Sequence, residues 1–197
     1  MFDDALAVLR EDPVMARLIR THEPYSEPDW TAYERLCISI LNQQLSTASA
    51  TAIRERVFAL FDGELTPAAM LTVEDGALRN AGVSRQKIDY LRNAARAFQE
   101  HDFTPHGLAD CSNEQVLDRL TEITGVGEWT AQMYLLFVLG RPDILPLGDL
   151  AVRRGIQQLY GDGEELTRAE MRAVAEQWRP YRSVATRYIW ADYEADT

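Results

Sequence analysis

Apolar residues recur at three- and four-residue intervals almost throughout this chain, and no run shows the strict alternation of a half-buried strand. The spacing predicts an all-α protein with helices over residues 2–10, 13–20, 29–43, 46–61, 66–71, 74–80, 84–100, 112–122, 127–139, 149–159, 167–178 and 180–192. Start signals support several of these. Thr66-Pro67 puts proline at a first helical position, where its missing N–H costs nothing, and Ser112 to Gln115 and Thr167 to Glu170 have the spacing of capping boxes. The connections at 23–28, 62–64, 101–110, 141–148 and 161–165 are too short to be flexible linkers. No internal repeat or low-complexity tract interrupts the pattern.

One break between helices is unusual. In LTEITGVGEWTA, residues 120–131, a polar helix runs into Gly125-Val126-Gly127 and a new amphipathic helix begins at once. Glycine tolerates positive φ and lets another backbone approach closely, so a tight hairpin is expected. Its turn and the following helix N-terminus present N–H groups suited to an anion such as a phosphate. The same residues also fit a structural αα-hairpin, with Gly125 as a helix C-cap and Gly127 relieving crowding. Further on, in ILPLGDLAVRRG, Asp149 opens another predicted helix, where a carboxylate is a natural N-cap.

Composition narrows the class. With 197 residues, 46% of them hydrophobic, the chain can bury a substantial core as one domain or two interlocked lobes. No stretch approaches the roughly 18 apolar residues of a membrane span, and Met-Phe-Asp-Asp does not open a signal peptide. A soluble, cytoplasmic protein without membrane partners is expected. Cys37 lies in an apolar helix as a small hydrophobe would, and Cys111 is its only possible disulfide partner. His22, His101 and His106 lack metal-ligand spacing and read as loop or turn residues. There is no phosphate-binding Walker loop and no dinucleotide fingerprint.

The hairpin and the aspartate together resemble the signature of helix-hairpin-helix DNA glycosylases, in which a Gly-hydrophobic-Gly turn precedes a catalytic aspartate by about twenty residues. More narrowly, GEWTA followed by RPDILPLGDLAVRRG resembles the 3-methyladenine DNA glycosylase II, or alkylpurine, family. LCISILNQQLSTASATAIRERVFALF (36–61), GVSRQKIDYLRNAARAF (82–98) and WRPYRSVATRYIW (178–190) match further family segments in order. The resemblance covers most of the chain from about Trp30 onward, and the chain is similar to the compact, purely helical members. It implies two helical lobes with an active-site cleft between them: residues 31–144, containing the hairpin, and residues 1–30 plus 145–197, carrying the aspartate.

That resemblance assigns roles. Asp149 becomes the catalytic carboxylate, in preference to Asp143 of the same loop, and it can cap its helix as well. Many relatives have an acid directly before it, where this chain has Gly148, which loosens the loop. Trp129 stands where bifunctional relatives carry a Schiff-base lysine, so a monofunctional enzyme that leaves an intact abasic site is implied. Trp129, Trp190, Met133 and Tyr134 are the implied base pocket, with Tyr188 as a further candidate; the plain alternative for the two tryptophans is core packing. Aromatic faces suit the positively charged 3-methyladenine and 7-methylguanine. Met133 replaces a pocket tyrosine of some relatives, which bears on substrate range.

The target base must leave the duplex, and Gln44, in the junction NQQLS, is the residue implied to fill its place. Helix capping is the alternative for both Gln43 and Gln44, and Ser46 reads as the N-cap of the next helix. Gly125, Val126, Gly127, Arg85, Lys87 and Arg153 are the implied DNA contacts. Relatives hold a monovalent cation on hairpin carbonyls, which here belong to Thr121, Ile123 and Val126, so Na+ or K+ is the only cofactor implied. The iron–sulfur cluster of a related branch needs four cysteines, and this chain has two.

A net charge of −11 runs against DNA binding, since affinity for DNA comes mainly from Lys and Arg on phosphates. The cations, however, gather at Arg54 and Arg56, Arg85 and Lys87, and Arg153 and Arg154, whereas acid gathers at Asp3-Asp4, Glu11-Asp12, Glu164-Glu165 and residues 192–196. Lys87 is the only lysine; a high-salt cytoplasm or arginine-favouring codons both account for that. The expected activity is excision of alkylated purines from damaged double-stranded DNA by a monomer. The competing readings are a glycosylase for hypoxanthine or a mismatched base, and a non-catalytic DNA-binding or lesion-sensing protein.

Overall fold

The computed structural model describes residues 2–61 and 64–195; positions 62 and 63 of the expected 62–64 loop, and position 196 of the acidic tail, lie outside the described residues. The described residues form twelve helices and no strand, as the apolar spacing predicts. They are α1 (Phe2–Leu9), α2 (Pro13–Thr21), α3 (Ala32–Asn42), α4 (Thr47–Phe58), α5 (Pro67–Thr72), α6 (Asp75–Asn80), α7 (Arg85–Glu100), α8 (Asn113–Thr121), α9 (Glu128–Phe137), α10 (Leu150–Tyr160), α11 (Arg168–Glu176) and α12 (Arg182–Ala195). None of them is long and apolar enough to cross a membrane.

Both expected capping boxes are present, at Ser112 with Gln115 and at Thr167 with Glu170, and Thr66 caps α5 with Pro67 in its first turn. A third box overturns one expected boundary. Helix α3 starts at Ala32 rather than at 29, because Thr31 accepts from the Glu34 backbone N–H while the Glu34 side chain accepts from the Thr31 N–H. Two donors of the first turn are satisfied at that point, and the apolar period alone could not locate it.

The chain forms two compact units, one continuous from Asp29 to Leu139 and one built from residues up to Pro28 together with those from Gly140 onward. In the continuous unit α3 is the central element. It packs against α4, α7 and α9. Leu36, Cys37, Ile38, Ile40 and Leu41 on it are all shielded from solvent. Each large apolar side chain buried this way contributes roughly 1.5–3 kcal/mol. Arg35 is buried too; its guanidinium donates to Ser39 Oγ at 2.7 Å and lies 4.5 Å from the Phe137 ring centroid. Helix α7 presents Ile88, Leu91, Ala94 and Ala95 inward, one face of a 3.6-residue period. Tyr33, Phe98, Phe103 and Tyr134 close this core, with Phe98 in T-shaped contact with Tyr33 and Tyr134 and tilted against Phe103.

In the discontinuous unit α12 packs on α10 and on α2. The approach to α10 is close enough that a Cβ on Gly155 would lie 2.4 Å from Ile189 Cγ2. The two chain ends are joined through Asp12, which is 5% exposed. Its Oδ1 caps α2 by accepting from Val14 N, and its Oδ2 accepts from Tyr160 Oη at 2.6 Å and Trp178 Nε1 at 3.0 Å. A carboxylate can be buried so deeply because each oxygen has donors.

Burial pushes the Cys37 thiol up to about 12. At pH 8 its thiolate fraction is then on the order of one in ten thousand, and the thiolate is the reacting species. Iodoacetamide at pH 8 should leave Cys37 unmodified in the native protein and label it only after denaturation, as read by peptide mass spectrometry.

Candidate functional site

The hairpin is built between α8 and α9. Past Glu122 the chain turns, Val126 N donates to Ile123 O at 2.9 Å, and Gly127 occupies the N-cap position of α9. The side chains of Ile123 and Val126 point into the core, so Val126 offers only its backbone outward. The two glycines differ in kind. Gly125 has φ +101°, and a Cβ there would meet the Tyr90 ring at 2.1 Å. Gly127 has an ordinary negative φ and nothing within 4 Å of where a Cβ would stand. It is exposed, and it gives α9 no side-chain cap. The first-turn N–H groups of any α-helix have no acceptor within the helix, so an uncapped start keeps donors for an external one.

The α3–α4 junction belongs to the same unit. Gln44 is exposed and left-handed, with φ +59°, which is unusual for a residue with a Cβ. Before it, the Gln43 side-chain amide donates to Gly125 O at 3.0 Å and to Thr130 Oγ1 at 3.2 Å. After it, Ser46 caps α4, as expected from the sequence. Gln43 therefore does not cap a helix with its side chain; it bridges to the hairpin.

Two expected DNA contacts, both half-buried, donate to backbone carbonyls of the protein itself. Lys87 is half-buried, and its ammonium donates to Leu41 O at 2.5 Å and to Gln43 O at 2.8 Å, at the C-terminus of α3. Burial lowers its pKa from the usual lysine value. A cation there also complements the negative end of the helix dipole. In the other unit, one guanidinium nitrogen of Arg153 donates to Leu147 O (2.8 Å), Gly148 O (2.9 Å) and Asp149 O (3.3 Å). Arg153 thus ties down the loop that Gly148 was expected to loosen. Arg85, at the start of α7, is exposed.

Asp149 is the N-cap of α10, its Oδ1 accepting from Val152 N at 3.0 Å. The same oxygen accepts from Trp190 Nε1 at 3.1 Å. Trp190 is 8% exposed and meets Tyr25 edge-on, 5.7 Å between ring centroids. The loop before Asp149 is fixed at its far end too. Ser183 Oγ donates to Arg141 O and accepts from Ile144 N, and Asp143 is held by Arg179 and Arg182. With both its oxygens on guanidinium groups, Asp143 anchors the loop.

Of the remaining pocket candidates, Trp129 is half-buried in the first turn of α9. Met133 and Tyr134 lie in the core of their unit, 3% and 1% exposed, and the Tyr134 hydroxyl donates to Phe103 O. Tyr188 is likewise buried in its own unit. Sequence reasoning missed Tyr25, which lies in an aperiodic segment between two prolines and carries no pattern that points to Trp190. Among the described residues no cluster of three or more His, Cys, Asp or Glu side chains could hold a metal ion.

A family model described as HhH-GPD superfamily base excision DNA repair protein matches residues 37–180. The chain belongs to this superfamily. It is 33% identical over 169 residues to DNA-3-methyladenine glycosylase 1 of Schizosaccharomyces pombe, across 82% of this chain and 74% of that protein. It is 28% identical over 173 residues to YfjP of Bacillus subtilis, across 84% of this chain and 60% of that protein, so it spans less than two thirds of the length of YfjP. The solved structure of the S. pombe 3-methyladenine DNA glycosylase Mag1 in complex with abasic DNA superposes with a TM-score of 0.86 at 30% identity, covering 95% of each chain.

The two hairpin glycines should separate in a stability measurement. Gly125→Ala is expected to destabilise by roughly 2–4 kcal/mol, because positive φ and overpacking against Tyr90 act together. Gly127→Ala, which replaces a good N-cap residue by a poor one without any clash, should cost only about 0.5–1 kcal/mol. Denaturant unfolding followed by circular dichroism reads both.

Proposed function

We propose that this protein is a monofunctional DNA glycosylase that excises alkylated purines from duplex DNA in base excision repair, working as a monomer. The observation that carries the reading is Asp149: a carboxylate fixed at the start of α10 by Val152 N and Trp190 Nε1, on a loop latched by Arg153. Names of similar proteins support the substrate class, since the S. pombe relative is a 3-methyladenine glycosylase.

In the reaction the bond between C1′ and the base nitrogen breaks with its electron pair going to the base, so positive charge builds on the deoxyribose. A preorganised carboxylate beside C1′ stabilises that charge and orients the water that adds to it. A purine alkylated at N3 or N7 is already cationic and leaves as a neutral base, so no protein acid has to protonate it. Trp190, held edge-on to Tyr25 and bonded to Asp149, is the aromatic group assigned to such a cation, which electron-rich ring faces attract.

Strand cleavage through a Schiff base needs an amine that can reach the sugar. The hairpin position carries Trp129, and the single lysine, Lys87, is occupied by two backbone carbonyls. The abasic product therefore stays intact. Backbone N–H groups at the hairpin and Arg85 are assigned to phosphates, a surface that positions DNA without reading sequence. Thr121, Ile123 and Val126 carbonyls, neutral oxygen donors, suit Na+ or K+, which would add one positive charge facing a phosphate; Ile123 O also accepts the Val126 N–H that shapes the turn.

Wild type should release 3-methyladenine and 7-methylguanine from methylated duplex without cutting the strand, and Asp149→Asn should release them about 10²–10³-fold more slowly while still binding. Base release measured by chromatography over a range of salt concentrations decides this. If wild type releases nothing at any salt yet binds abasic duplex, the protein is a glycosylase for another lesion or a bare binding module. Gly127→Ala, which should fold normally, is expected to weaken duplex binding several-fold in a gel-shift titration by blocking close approach of a phosphate.

A further inference from the structure

Gln44 and Leu45 form the tip of the α3–α4 junction: Gln44 is exposed in a left-handed conformation, and Leu45 is one of the few large apolar side chains left 39% exposed. A left-handed backbone at a residue with a Cβ persists only when its surroundings enforce it. Here the enforcing contacts sit on Gln43. Its carbonyl accepts from Lys87 Nζ at 2.8 Å, and its side-chain amide reaches Gly125 O at 3.0 Å and Thr130 Oγ1 at 3.2 Å. Beyond the tip, Leu45 N donates to Asn42 O at 3.3 Å, closing the turn on itself. The hairpin partner of these bonds is itself immobilised, because Gly125 packs directly on the Tyr90 ring of α7, the helix that carries Lys87.

We infer that Gln43 and Lys87 are positioning residues that lock the Gln44-Leu45 tip to the hairpin, so that phosphate grip and insertion into the base stack are made by one rigid piece. The inference rests on the DNA-binding reading of the hairpin. Neither Gln43 nor Lys87 touches DNA in it; each acts through the tip. Duplex held at the hairpin would then meet Gln44 and Leu45 at a fixed offset, and a base step with a missing or weakly stacked base would admit them most easily. The consequence is discrimination, not raw affinity. A loosened tip still leaves the hairpin able to hold undamaged duplex, but it pays ordering entropy each time it enters the stack.

The test is fluorescence-anisotropy binding of undamaged and abasic duplexes to wild type, Gln43→Ala, Lys87→Met, Lys87→Arg and Thr130→Val, with thermal melts of each. A 2-aminopurine next to the abasic site reports entry of the tip. Wild type should prefer the abasic duplex. Gln43→Ala and Lys87→Met should lose about tenfold of that preference and of the 2-aminopurine signal, with undamaged-duplex affinity changed less than about threefold. Lys87→Arg, which keeps donors on the two carbonyls, should recover most of both. Thr130→Val preserves shape and removes one bond, so it carries the test if the other variants unfold. Unchanged preference in the folded variants overturns the inference, as does a parallel fall in binding to both duplexes or a wild type with no preference. Failure of the glycosylase reading is separate, because it appears as absent base release with the binding preference intact.

Discussion

Helix α3 is shielded along nearly its whole length, so its last carbonyls have to find donors inside the protein. Backbone N–H groups of Gln43 and Leu45 serve Ile40 O and Asn42 O, and Lys87 serves Leu41 O. Its ammonium on Leu41 O and Gln43 O ends the helix, draws α7 against α3, and leaves the chain at Gln43 aimed across to the hairpin. From that one satisfied helix terminus follow the position of the α3–α4 turn, the left-handed backbone at Gln44 and the seat of Gly125 on Tyr90. The cost of burying a cation here is moderated because Lys87 is only partly shielded and sits at the negative end of a helix dipole.

The second unit solves a different problem, the fixing of a carboxylate at the end of an irregular loop. The loop is held at its start by Ser183, at Asp143 by two arginines, and at its end by Arg153 and the α10 cap. Trp190 then sets the direction of Asp149 Oδ1. Cation and indole alike bind backbone or carboxylate oxygens, so the geometry does not rely on packing of Gly148, the residue least able to impose any.

Helix positions were legible from apolar spacing because most elements have a buried stripe and eight of the twelve described helices have a side-chain cap, and those are local signals. Boundaries are less legible: the Thr31 to Glu34 capping box starts α3 three residues after the expected position, and the ends of α4 and α12 also differ by three residues. Candidate site residues were legible where a motif named them, as with Gly125, Asp149 and Gln44. What could not be read was where each polar group spends its hydrogen bonds. Lys87 and Arg153 looked like phosphate contacts by charge alone, yet both are bonded to backbone carbonyls, one of them more than forty residues away in sequence. Tyr134, a pocket aromatic by resemblance, is buried with its hydroxyl on Phe103 O, while Tyr25 lies in a segment with no periodicity to mark it.

The unit that carries Asp149 is assembled from both ends of the chain, with the other unit lying between them in sequence. Contacts such as Trp178 and Tyr160 on Asp12 span 166 and 148 residues, whereas those that brace the hairpin all lie within the continuous segment. During synthesis the first two helices must wait, with Asp12 lacking its indole and phenol donors, until α10 to α12 have been made. The hairpin segment is complete well before that moment. A nascent chain would therefore complete the hairpin segment before α10 to α12 were available to hold Asp149 and Asp12 in place.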